Sequence, residues 1–264
     1  MDGSARLHHL QALQAFLQAV RCRKAWHKTD RLLMILGGIA DPELRLYRFG
    51  EYLRERTPEE AAWTIAALWD RVAAGERRTQ TVCLGLLDAK CLGRMLEASH
   101  LEKVRGLLDA DRHASAELFI SATPGWALSD RETVRRPKEP VGFRISLARQ
   151  PIARVLDRLL FDPDARVVRA ILRNPRLIEA DVVKLAASRR AAAEVLEVIA
   201  QDPRWIARYS VKVALANNPT TPLRVVLGLL PYLLHQDLRA LAAGASRPKL
   251  REQALRLLSR RPSA

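Results

Sequence analysis

Apolar residues recur at helical spacing along almost the whole chain. Between Leu7 and Val20 they fall at Leu10, Leu13, Phe16, Leu17 and Val20, a stripe with the 3.6-residue period of an α-helix. Asp41-Pro42-Glu43 and Thr57-Pro58-Glu59-Glu60 predict two helix starts. In each, a short polar side chain can accept from the N–H groups of the first turn, and proline takes the first helical position, where no N–H is needed. The helices that follow carry Leu46, Phe49 and Leu53, and then Trp63, Ile65, Leu68 and Trp69. Gly75, Gly93 and Gly106 punctuate further helices. The alternation that strands require is nearly absent.

The C-terminal half adds a recurrence. Asp162-Pro163 opens an apolar-periodic run that closes at Asn174-Pro175, and Asp202-Pro203 opens another that closes at Asn218-Pro219. Weaker echoes run from Arg144 to Pro151 and from Arg239 to Pro248. Each interval reads as a helix, a proline-marked corner and a second helix. Such units cannot bury their apolar faces alone, so they stack. The expected core includes Leu172, Leu185, Val211, Leu215, Val226 and Leu230. Three segments follow: a helical region over 1–120 (a cap or degenerate repeats), a Pro/Gly-rich basic loop or linker over 121–142, and helical repeats over 143–264.

The stretches GFRISLARQP, DPDARVVRAILRNPRL, DPRWIARYSVKVALANNPTTP and LLPYLLHQDLRALA resemble a group of bacterial repeat proteins. These are related to HEAT repeats and to the leucine-rich repeat variant, whose units contain an Asp-Pro or Asn-Pro corner. The resemblance is confined to the C-terminal segment. It implies an all-α fold, an α-solenoid (an α-α superhelix, right-handed) of stacked HEAT-like helical hairpins, and action by binding other macromolecules. Some relatives of the variant type hold an iron–sulfur cluster on clustered cysteines. Cys22, Cys83 and Cys91 are scattered, without CxxC spacing, and read as reduced core thiols.

Charge changes the picture. The net charge is +15, and residues 1–120 hold 18 Lys+Arg against 16 Asp+Glu while the remainder holds 26 against 13. A basic half points to an anionic partner. Arg outnumbers Lys 36 to 8, so a compositional habit of the whole chain is the competing explanation. Arg166, Arg169 and Arg173 fall at i, i+3 and i+7, and Arg204, Arg208 and Lys212 at i, i+4 and i+8. Each set lines one helix face, as a partner-binding stripe or as a solvated surface. Trp205 and Tyr209 flank the second stripe and either anchor a partner or pack between units. Trp126, Arg135, Arg136 and Lys138 make the 121–142 segment a binding loop or a solvated linker.

Catalytic patterns are lacking. The six histidines form no HExxH or other metal-ligand spacing, and there is no GxSxG, P-loop or GxGxxG. Asp162 and Asp202 read as N-caps. No metal and no cofactor are expected. The resulting expectation is a non-enzymatic scaffold binding a macromolecular partner, foremost a protein. Nucleic acid held by the basic half is the alternative. Third comes a DNA glycosylase, which the HEAT-like resemblance admits but for which no carboxylate can be placed beside Trp205. No basic stretch followed by an apolar one opens the chain, and the longest apolar runs, from Leu32 to Ala40 and from Val225 to Leu234, fall short of the ~20 residues of a membrane span. A soluble cytoplasmic protein is expected.

Overall fold

Asp41 and Thr57 do at the helix starts what their spacing predicts. Asp41 accepts from the Glu43 N–H at 2.8 Å, and Thr57 Oγ1 accepts from the Glu60 N–H at 3.3 Å, with proline opening each helix. The computed structural model describes residues 28–87, 89–111, 113–119, 139–244 and 247–261. Among them every element is helical, there is no strand, and no helix is long and apolar enough to cross a membrane. They divide into two compact units, one up to Phe119 and one after it.

The first unit holds α1 (28–37), α2 (Pro42–Arg54), α3 (Pro58–Ala73), α4 (Arg77–Cys83), α5 (Ala89–Met95), α6 (Ala98–Ala110) and a 3₁₀ turn (Ala114–Phe119). α3 is its spine. It buries Ile65, Leu68, Val72 and most of its other residues, and packs on α4, α6 and the 3₁₀ turn. Its end is set by Gly75, whose φ of 86° only glycine adopts without strain. The Gly75 N–H bonds the Val72 carbonyl and the Glu76 N–H the Arg71 carbonyl, closing the last turn. That turn folds Glu76 back onto the buried Arg71, which meets it with two bonds of 2.6 and 2.7 Å and reaches Asp30 of α1 at 2.5 Å. Hydrogen bonding to Glu76 holds the Arg71 pKa above its ordinary value, and the same bond holds Glu76 below its own. α2 lies against α5 so closely that a Cβ on Gly50 would stand 2.5 Å from Met95 Cβ.

The second unit holds α7 (Val141–Ala148), α8 (Ala153–Leu159), α9 (Ala165–Leu172), α10 (Glu179–Ala187), α11 (Ala193–Gln201), α12 (Pro203–Ile206), α13 (Tyr209–Asn217), α14 (Leu223–Leu229), a 3₁₀ turn (Leu230–Tyr232), α15 (His235–Gly244) and α16 (Pro248–Arg260). α9 packs on α7 and α11, α13 on α10 and α15, and α14 on α16. The six residues expected in the core are all buried.

The intervals between Asp-Pro and Asn-Pro differ from expectation. The first contains one helix, α9, rather than two. The second is broken after Ile206, where α12 stops and Arg208 caps α13. Asp162 is not an N-cap. Asp164 takes that role, accepting from the Arg166 N–H at 2.9 Å. Asp162 is buried and receives Arg144 of α7 in a fork of 2.7 and 3.2 Å.

One hydrogen-bond arrangement occurs three times. Asn174, just past α9, donates from Nδ2 to the carbonyls of Ala148 at 2.8 Å and Gln150 at 2.9 Å, at the end of α7. Asn218, just past α13, does the same to Ala186 at 2.7 Å and Ser188 at 2.9 Å, at the end of α10. Arg261, past α16, donates to the carbonyls of Pro231 and Leu233 beyond α14. In each case a side chain at one helix end ties together carbonyls i and i+2 at the end of another. Both asparagines also fold their own corners, their Oδ1 accepting from the Arg176 N–H at 3.0 Å and the Thr220 N–H at 2.9 Å.

Substituting Asn174 or Asn218 by Asp keeps the acceptor and removes both donors. Each variant is expected to lose about 2–3 kcal/mol in urea unfolding, two buried bonds at their usual net worth. A loss below about 0.5 kcal/mol in both would show that the clasp adds nothing. In the first unit Gly50→Ala is expected to destabilise by about 1–3 kcal/mol, because Met95 must be displaced to admit the methyl group. An unchanged melting temperature would contradict that packing.

Candidate interaction surface

α9 shows why its arginines face outward. Val167, Val168, Ile171 and Leu172 take the buried side, which leaves Arg166, Arg169 and Arg173 exposed on the other. The three are not equivalent. Arg166 forks onto Asp164 with bonds of 3.0 and 2.8 Å, and that hydrogen bonding pulls the Asp164 carboxyl down to about 2. Arg169 and Arg173 have no ion-pair partner among the described residues.

The second stripe is divided by the break between α12 and α13. Arg204 is exposed, with its guanidinium 4.4 Å from the centre of the Trp205 ring. Trp205 itself is 2 % exposed, and its indole N–H donates to the Leu172 carbonyl at 2.9 Å, so the ring is an internal strut between α12 and the end of α9. Arg208 is exposed and stands 3.7 Å from Glu179. Tyr209 is half-buried. Its hydroxyl donates to Asp237 and accepts from the Leu234 N–H at 2.9 Å. Lys212, expected on the exposed stripe, is buried instead. The break rotates it inward, where its Nζ donates to the Ala207 carbonyl at 3.1 Å, the carbonyl that α12 leaves open, and burial pushes its pKa down. Trp126, Arg135, Arg136 and Lys138 lie outside the described residues.

The structure brings together a different set. The Asn174 clasp joins the corner after α7, which carries Arg149, to the corner after α9, which carries Arg173 and Arg176. The Trp205 bond to Leu172 then brings Arg204 to the same edge. All four arginines are exposed, and none forms an ion pair among the described residues. Arg204 and Arg173 both act electrostatically on the Asp202 carboxylate. Its Oδ1 is spent as an N-cap on the N–H groups of Arg204 at 3.0 Å and Trp205 at 3.3 Å, and burial raises its pKa. Ile152 and Ile178, each at the residue before the next helix in these two corners, are 47 % and 58 % exposed. Arg149, Arg176, Ile152 and Ile178 escaped the sequence reading because they sit in corners, outside any helical stripe. The Asn-Pro corner was the one available signal.

Groups with possible chemistry are few. His113 contacts Ser115 Oγ at 2.8 Å through Nδ1 and Asp70 at 3.3 Å through Nε2. Ser115 is fully buried, so its hydroxyl meets no substrate, and the contacts close the turn that opens the 3₁₀ segment. The Cys83 thiol is buried and pushed up to about 12, which keeps it in the unreactive thiol form. Among the described residues no group of His, Cys, Asp and Glu could hold a metal ion. No family model, curated protein or solved structure matches the chain.

Burial, and then the hydrogen bond to Asp237, push the Tyr209 phenol up to about 12. An unfolded tyrosine ionises near pH 10. Between those values the unfolded chain releases a proton that the folded chain keeps. The stabilisation is therefore complete below about pH 10 and lost as pH rises toward 12. The stability difference between the native protein and Tyr209→Phe, followed by urea unfolding, should be flat up to about pH 10 and fall above it. Parallel profiles would remove Tyr209 from this role.

Proposed function

We propose that the second unit is an α-solenoid segment of HEAT-like type, and that the protein is a non-enzymatic, cytoplasmic scaffold that binds another protein along it. The packing of α9 on α7 and α11, of α13 on α15 and of α14 on α16, each next but one in the chain, and the threefold recurrence of the clasp support the stacked arrangement. The observation that carries the choice of partner is the composition of the exposed corners, which hold Ile152 and Ile178 as well as arginines without ion-pair partners. Nucleic acid is favoured by charge, and Phe143 and Phe161 of the same unit are exposed, but the two aromatic residues beside the arginine stripes are not free to stack on bases. Trp205 is spent inside, and the Tyr209 hydroxyl is held by Asp237 and the Leu234 N–H.

The test sets titration with random duplex and single-stranded DNA beside affinity capture of proteins from nuclease-treated lysate. Nucleic-acid affinity is expected to be no tighter than ~0.1 mM at physiological salt. A captured protein is expected to be lost from Ile152→Ser/Ile178→Ser. A sub-micromolar complex with DNA, weakening by about 0.9 in log–log slope per phosphate contact and abolished by Arg169→Glu/Arg208→Glu, would make nucleic acid the partner.

A further inference from the structure

We infer that the edge built by the ends of α7, α9 and α11 is a docking track for an extended acidic segment of a partner protein, with carboxylates recurring about every third residue and apolar side chains between them. The inference rests on the protein-binding reading above and names the chemistry of the partner.

Two contacts hold the track in place. The Asn174 bonds to the Ala148 and Gln150 carbonyls join the corner of Arg149 to that of Arg173 and Arg176, and the Trp205 bond to the Leu172 carbonyl ties the residue after Arg204 to the residue before Arg173. The electrostatic influence of both Arg173 and Arg204 reaches the Asp202 carboxylate, in keeping with the Trp205 bond that joins their two helix ends. Four exposed guanidiniums without ion-pair partners on joined corners repel one another, so their position needs a reason. Helix dipoles supply one for Arg149 and Arg173, which stand at the C-caps of α7 and α9. They supply none for Arg176, beyond the cap, and they disfavour Arg204, in the first turn of α12.

The local geometry suits carboxylates. Arg204 lies over the Trp205 ring, so one face of its guanidinium is covered while its N–H edge stays free for a two-pronged bond. Packed helices stand about 8–10 Å apart. An extended chain advances about 3.3 Å per residue. One step from helix end to helix end thus equals about three residues, which sets the spacing of the acidic side chains. Ile152 and Ile178, exposed in the same two corners, give the intervening apolar side chains a surface. A phosphate backbone would leave both isoleucines without a partner.

The experiment uses the full chain and fluorescence anisotropy with labelled peptides. One peptide is built of Glu-Leu-Ser repeats; a second has the same composition with its glutamates in one block; a thymidine single strand is the third probe. The spaced peptide is expected to bind more tightly than the blocked one and to weaken with salt. It should lose about tenfold in affinity in Arg173→Glu/Arg204→Glu, two exposed charges reversed. Arg190→Glu/Arg239→Glu changes net charge equally at exposed sites away from the track and should leave binding intact. Circular dichroism melts check that both variants fold. Equal affinity for the two peptides, equal loss in the two variants, or no peptide binding would overturn the inference. The protein-binding reading survives those results if Ile152→Ser/Ile178→Ser still loses its captured protein. Tighter binding of the single strand, lost in Arg173→Glu/Arg204→Glu, would overturn both.

Discussion

Short helices make unsatisfied carbonyls the governing problem of the second unit. An α-helix leaves its last four carbonyls without partners inside the helix. α7, α8 and α9 have 8, 7 and 8 residues, so about half of their carbonyls are end groups. Buried without partners, such groups would offset much of what apolar packing contributes. Nor do helices of this length persist alone. The clasp answers both difficulties at once, because the donor that satisfies one helix end belongs to the corner after another helix. Local capping and tertiary docking become a single event. Asn suits this role because its two N–H donors can bridge carbonyls i and i+2 while its oxygen closes its own corner. Arg261 repeats the donor half with a longer side chain.

The same accounting separates the interior charges from the exterior ones. Arg144 with Asp162, Arg224 with Glu197, and Arg71 with Glu76 and Asp30 are each matched, and in each the arginine joins its helix to another helix or to a corner of the chain. Losing one member would strand a charge in a poorly solvated place, which is more damaging than the pair is helpful. The outer arginines are under no such demand. Where a carboxylate lies close, as Asp164 does to Arg166, they pair with it. At the ends of α7 and α9 they remain open. The positive excess of the C-terminal half is therefore partly structural and partly available, and the two kinds are distinguished by what lies within hydrogen-bond reach, not by residue type.

Helical class, the caps at Asp41 and Thr57, the stop at Gly75 and the buried positions from Leu172 to Leu230 were legible in the sequence, since each depends on spacing within about one turn. Long-range pairings were not. Asp162 looks like an N-cap until Arg144, eighteen residues earlier, takes its carboxylate. Lys212 continues an arginine stripe on a helical wheel only if the helix is unbroken at Ala207. Trp205 beside Arg204 looks like a stacking platform, and what decides otherwise is the Leu172 carbonyl, 33 positions away in the chain. For the candidate site the sequence offered residue types but not their grouping. Arg173 and Arg204 came from two different stripes, and Arg149 and Arg176 from none.

Docking by helix ends also explains why arginines without ion-pair partners collect at the exposed edge more than on a helix face. A clasp of the Asn174 kind works only if two helices end at the same level, so that one corner reaches the other's final carbonyls. Level ends bring the corners together, and corners admit side chains that a packed face excludes, including arginines without partners and half-exposed isoleucines. The edge is thus a by-product of satisfying the backbone. It adds no demand on the core, and its composition can vary while the clasp persists. Asn174 sits at the junction of the two roles. Its Nδ2 holds the end of α7, its Oδ1 orients the Arg176 N–H, and the arginines on either side inherit their positions from those bonds.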